Sequence, residues 1–114
     1  MSQDPVNEPE AAYHLLLEPD EVPVAASALR LLLSDEAHEP DIRRLAREVL
    51  SELDEPVGEI LTVPLSAPQM KITHSALRLL LNDLQREQAD EREILRRVLD
   101  KLPDEHAIRA IELD

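Results

Sequence analysis

The amino-acid sequence predicts an α+β fold built from two tandem β-α-α repeats plus a C-terminal strand. Three observations lead there. The heptapeptide SALRLLL occurs twice, at residues 27–33 and 75–81. Matching apolar and charged positions surround both copies. A short apolar stretch bounded by turn residues precedes each one. Together these imply a small three-stranded sheet packed against helical hairpins, with an all-α bundle of two helical hairpins as the alternative.

The two heptapeptides lie 48 residues apart, and internal repeats are read before any other pattern. Extended backwards, that offset pairs Val24 with Ile72, Val22 with Met70, Glu21 with Gln69, Leu17 with Leu65 and Leu15 with Val63. Beyond a one-residue insertion the offset becomes 49, and Arg43, Leu45, Arg47, Val49 and Leu53 match Arg92, Ile94, Arg96, Val98 and Leu102. The repeats are residues 11–57 and 58–106 of a single domain, with a tail at 107–114 and an acidic, flexible segment at 1–10.

Each element follows from local chemistry. The opening strands are residues 13–17 and 59–65; the second, with its β-branched residues after Gly58 and before a turn at 66–68, carries the stronger signal. The first helix of the second repeat starts at a capping box, Ser66 with Gln69, with Pro68 in its first turn. Its counterpart has an acidic start at residues 18–21, and Pro23 requires the helix to begin near Asp20. The second helix places Ile42, Leu45, Ala46, Val49, Leu50 and Leu53 on one face, and Ile94, Leu95, Val98, Leu99 and Leu102 repeat that face. Pro56 and Pro103 follow these helices. Residues 107–113 align with the opening strand of a third copy that does not continue, and are read as the third strand.

The SALRLLL helices are apolar on two sides. Val22, Ala25, Leu29, Leu32 and Leu33 form one face; Val24, Ala28 and Leu31 form another. Ile72, Ala76 and Leu79 are the counterparts of the second face. The polar strip is narrow: Pro23, Ser27, Arg30 and Ser34, matched by Lys71, Ser75, Arg78 and Asn82. A ridge of several hundred Å² left in water is an association surface. The expectation is a homodimer whose interface uses Val24, Ala28, Leu31, Ile72, Ala76 and Leu79.

Composition narrows the function classes. Of 114 residues 43% are hydrophobic, yet Phe and Trp are absent and Tyr13 is the sole aromatic residue, so the core is aliphatic and stacking platforms for single-stranded nucleic acid are missing. The net charge of −13 opposes binding to nucleic-acid phosphates and anionic lipid. With no cysteine there is no disulfide, thiolate metal site or thiol nucleophile. The polar, acidic N-terminus is unlike a signal peptide, and no apolar run nears the roughly 20 residues that span a bilayer. A cytoplasmic protein with no membrane and no direct nucleic-acid partner is expected.

Catalytic motifs are missing from the sequence. Gly58, the single glycine, cannot make a phosphate-cradling loop, and Ser27 and Ser75 lie within helices rather than at a nucleophile elbow. The acidic residues fall on polar helix faces, in caps or in loops, where no pocket shifts a carboxyl pKa. His14, His38, His74 and His106 have no metal-ligand spacing, so no metal and no cofactor is expected. Arginine is the residue type with symmetry to offer: Arg30 with Arg78, Arg43 with Arg92, and Arg47 with Arg96 could converge on an anion. Against that stand pairs within one helix, Arg44 with Glu48 and Glu93 with Arg97.

The leading expectation is a non-enzymatic protein-protein interaction or structural module that self-associates through its leucine-rich helices and offers acidic faces to another protein. The alternatives are a regulatory protein binding a small anion or phosphate ligand through the repeat-related arginines, and an acidic nucleic-acid mimic that inhibits a DNA-binding protein.

Overall fold

Alternation along residues 13–17 buries Leu15 and Leu17 and turns His14 and Leu16 outward, the pattern of a strand with one face on a core. Residues 61–65 repeat it with Val63 and Leu65 inward and Thr62 and Pro64 outward. A computed structural model describes residues 13–35, 38–53, 59–84, 88–103 and 105–111. The segment 1–10, the junction holding Pro56 and Gly58, and Asp104, Glu112 and Leu113 lie outside the described residues.

The fold is α+β. The order is β1 (Tyr13–Leu17), α1 (Val22–Leu33), α2 (Pro40–Glu52), β2 (Leu61–Leu65), α3 (Ala67–Asp83), α4 (Ala89–Asp100) and α5 (Glu105–Arg109). β1 and β2 pair antiparallel in a two-stranded ribbon, with Tyr13 opposite Leu65, Leu15 opposite Val63 and Leu17 opposite Leu61. Both strands of such a ribbon are edges, so Pro64 is accommodated in β2.

Pro23 sits in the first turn of α1, where its missing N–H removes no helical hydrogen bond. At α3 the capping box forms in full. Gln69 N donates to Ser66 Oγ at 3.2 Å, and Ser66 N donates to Gln69 Oε1 at 2.9 Å.

The tail corrects the sequence reading. Residues 105–109 form α5, and no third strand joins the ribbon among the described residues. Ile108 and Ile111 are three residues apart, a helical spacing, and both pack on the core while Ala107 and Ala110 face solvent. α5 lies against α3.

Both apolar faces of α1 are covered within one chain. The helix packs on α3, α2 and α4, and α3 packs in turn on α1, α2, α4 and α5. Val24, Ala28, Ile72 and Ala76, expected at an interface between two copies, are buried here. Leu31 is half-buried, and Leu79 keeps 40% of its surface exposed. The premise behind the expected homodimer, an uncovered second face on α1, therefore does not hold. The other half of the same chain supplies the cover.

Candidate functional site

The arginines fall into three situations. Arg43 Nη1 donates to the carbonyls of Leu33 and Asp35 at 2.9 and 3.0 Å, and its counterpart Arg92 Nη1 donates to those of Leu81 and Leu84 at 3.3 and 3.4 Å. Leu33 and Leu81 are themselves counterparts. Each arginine thus satisfies carbonyls that the end of α1 or α3 leaves without an intrahelical partner, where the helix dipole also favours a cation. Arg47 and Arg96 are exposed on α2 and α4. Arg30 is exposed on α1, whereas Arg78 lines a groove beside α5. The guanidinium groups of Arg43 and Arg92 are given to these separate helix ends.

Glu21 was missed by the sequence reading, which put every acidic side chain on a polar face, in a cap or in a loop. Its carboxylate is only 1% exposed. The turn into α1 begins the enclosure: Glu21 N donates to Glu18 O, and Glu18 N donates back to Glu21 Oε1, both at 2.8 Å. Gln69 does the same for Ser66 in the second repeat, so the pairing of Glu21 with Gln69 carried the one sequence signal for this fold-back.

α4 completes it. Lys101 Nζ donates to Glu21 Oε1 and, at 2.9 Å, to the carbonyl of Leu16 in β1. Arg97 Nη2 donates to Asp20 Oδ2 at 2.7 Å, while its Nε stands 3.6 Å from Glu21 Oε2. Among the described residues nothing hydrogen-bonds Glu21 Oε2. The hydrogen bond that Arg97 donates to Asp20, aided by the nearby charges of Asp20, Glu21 and Glu18, raises the Arg97 pKa above its usual value despite partial desolvation. Tyr13 OH donates to the carbonyl of Lys101, which ties the end of α4 to β1.

The same contact recurs across the molecule with other chemistry. Glu48 on α2 is the counterpart of Arg97, and its Oε1 accepts from Gln69 Nε2 at 3.0 Å. In both halves the second helix therefore reaches the start of the other half's first helix, once as an ion cluster and once as a single hydrogen bond. Along α2, Arg44 stands 3.8 Å from Glu48, an expected within-helix pair, and 3.6 Å from Asp41, whereas Arg97, expected to pair with Glu93, turns instead to Asp20 and Glu21.

Two recesses flank these features. One, of about 450 Å³, lies at the ribbon, between Tyr13, His14, Leu16, Ile60 and Lys101, with Glu18 and Asp100 on its rim. Leu16 and Ile60 are 50% and 59% exposed. The other, of about 390 Å³, runs along α3 beside α5. His38 stands 3.8 Å from Asp35, His14 and His106 are exposed, and His74 is buried in α3. No three His, Asp or Glu side chains among the described residues gather as metal ligands. No helix among them is long and apolar enough to cross a membrane. Comparison with known proteins returned no matching family model, no similar curated protein and no similar solved structure.

Proposed function

We propose that the protein is a cytoplasmic, non-enzymatic binding module that takes a basic segment of another protein against its ribbon end. The observation carrying this reading is the exposure of Leu16 and Ile60 beside the 450 Å³ recess rimmed by Glu18 and Asp100. Large apolar side chains left in water beside a recess are association surface. A chain of net charge −13 favours a partner rich in Lys and Arg.

Two further observations support a protein partner without catalysis. A two-stranded ribbon is narrow enough for the DNA major groove. Here, though, its outward residues are His14, Leu16, Thr62 and Pro64, none with the Arg, Lys, Asn or Gln side chain that reads base edges, and Glu59 and Glu18 stand beside it with the charge that phosphate repels. Glu21 is sealed by Lys101 and by its own turn, so a substrate has no approach to its carboxylate.

The test places a photo-crosslinking amino acid at position 16, 60 or 47 of the full chain in its own cells. Adducts with one protein from 16 and 60 but not from 47, weakening as salt rises, support the reading. Adducts equal at all three sites, or none at 16 and 60, defeat it. Adducts between two copies of this chain would reassign the ribbon end to self-association.

A further inference from the structure

Pro64 fixes which way the backbone of the ribbon points. It stands opposite His14 and has no N–H to donate. In an antiparallel pair, residues that exchange both hydrogen bonds alternate with residues whose N–H and C=O point away from the partner strand. A proline is accommodated at an outward position, where no ladder bond is lost. With Pro64 outward, Tyr13, Leu15 and Leu17 form the hydrogen-bonded pairs with Leu65, Val63 and Leu61, and His14 and Leu16 send their N–H and C=O to the outer edge of β1. The Leu16 carbonyl agrees: it accepts from Lys101 Nζ at 2.9 Å.

The two outer edges are not equivalent. Leu16 and Pro64 are counterparts in the repeat, and so are His14 and Thr62. Within the paired residues the β2 edge offers the N–H of Thr62, where the β1 edge offers those of His14 and Leu16. The ring of Pro64 also obstructs an approaching strand, a familiar way of blunting an edge. Beside β1 there is open volume instead. The recess of about 450 Å³ is bounded by Tyr13, His14 and Leu16 of β1 and by Asp100 and Lys101 at the end of α4.

We infer that the partner segment is an extended strand that adds to the outer edge of β1. This rests on the reading of the ribbon end as the partner site, and specifies how that site is used. Main-chain hydrogen bonds to His14 and Leu16 hold the segment whatever its side chains. The Leu16 oxygen has two lone pairs, so it accepts from the added strand while keeping Lys101. Selectivity comes from the recess. Glu18 and Asp100 on its rim attract Lys and Arg, and Leu16 and Ile60 offer apolar contact to alternate side chains. A second copy of this chain is disfavoured as the occupant, because each copy brings a net charge of −13 and its own Glu18 and Asp100 to the same place.

The probe is a short peptide of alternating lysine and valine, titrated into the isotope-labelled full chain at physiological ionic strength and followed by amide resonances and hydrogen exchange. Exchange at the His14 and Leu16 amides should slow by roughly tenfold or more at saturation, while Thr62 keeps its rate. Leu16→Pro copies into β1 the residue that β2 already holds at the equivalent position, and should weaken binding by roughly tenfold or more. Leu16→Val keeps the N–H and should bind like the parent. The same peptide N-methylated at every residue keeps its charge and side chains but has no N–H to donate, so it should bind far more weakly to the unaltered protein. Equal binding of the methylated peptide, or by Leu16→Pro, means that charge and apolar contact suffice; that overturns strand addition and leaves the reading of the ribbon end intact. Protection of Thr62 in place of His14 and Leu16 moves the strand to β2 and overturns it too. So does a failure of the peptide to bind, whereas crosslinks from positions 16 and 60 judge the reading of the ribbon end separately. Protection that rises with protein concentration in the absence of peptide makes a second copy the occupant, against the inference.

Discussion

Leu15 stands opposite Val63 in the ribbon, and the same two residues are counterparts in the repeat. Tyr13 and Leu65 then face each other as Leu17 and Leu61 do, with the roles of the two strands exchanged. That register is what a twofold axis passing between Leu15 and Val63 produces. It accounts for α1 lying on α3, and for α4 and α2 each reaching the start of the other half's first helix.

Glu21 is the most sensitive side chain of the ion cluster. Glu21→Ala takes the carboxylate from Lys101, which keeps its bond to the Leu16 carbonyl, and frees the Glu18 N–H, for a loss of about 2–4 kcal/mol, below that of breaking a fully buried pair because the Lys101 side chain is 31% exposed. Glu21→Gln keeps the fold-back that Gln69 makes in the second repeat and should cost about 1–3 kcal/mol. Urea unfolding of both variants checks the order. Equal losses would mean that the fold-back bond contributes nothing beyond the charge.

Arg43 and Arg92 serve separate helix ends, so their losses should add. Arg43→Met and Arg92→Met should each cost about 0.5–1.5 kcal/mol, and the double variant the sum within about 0.5 kcal/mol. Thermal or chemical unfolding measures this.

Ala28 and Ala76 are fully buried on the second faces of α1 and α3. Ala28→Leu and Ala76→Leu should each destabilise by about 1–3 kcal/mol through overpacking. Ser27→Ala, on the exposed strip one residue away, should stay within about 0.5 kcal/mol. Unfolding midpoints decide it; a neutral Ala28→Leu would indicate that the α1–α3 contact is loose.

Arg97 has a raised pKa, caused first by its hydrogen bond to Asp20. A basic group with a raised folded value contributes fully below its unfolded pKa and loses that contribution only as pH climbs through the folded one. Both lie far above pH 9. Arg97→Gln should therefore shift the urea midpoint equally at pH 7 and pH 9. A shift that shrinks at pH 9 would place the titration elsewhere.

Local chemistry was readable wherever neighbours in sequence decide the outcome. Ser66 and Gln69 announced a cap and form one; Pro23 set the start of α1; the two-sided apolar pattern of SALRLLL required double burial and received it on α1, while on α3 Leu79 stays exposed. Features decided by distant segments were not readable. Glu21 looked like an ordinary acid in a helix's first turn, because the cations that enclose it sit some 76 to 80 positions later in the chain, at Arg97 and Lys101. The tail resembled a strand by alignment with earlier strands, yet its partners are on α3, and a spacing of three between Ile108 and Ile111 suits that surface. The α3–α5 groove was likewise hidden. Its polar strip was visible, but the wall that turns a strip into a recess comes from the tail.

The ribbon's register also bears on how the molecule assembles itself. Either β-α-α segment alone would own one strand of a pair and one rod of a clasp, and could complete itself only by meeting a second such segment. Joined in one chain, the two meet without a bimolecular step, so dilution does not unmake the clasp. Joining also releases the two sides from identity: one seals its seam with charge, the other with an amide, and among the described residues a lean-to helix rests on α3 alone.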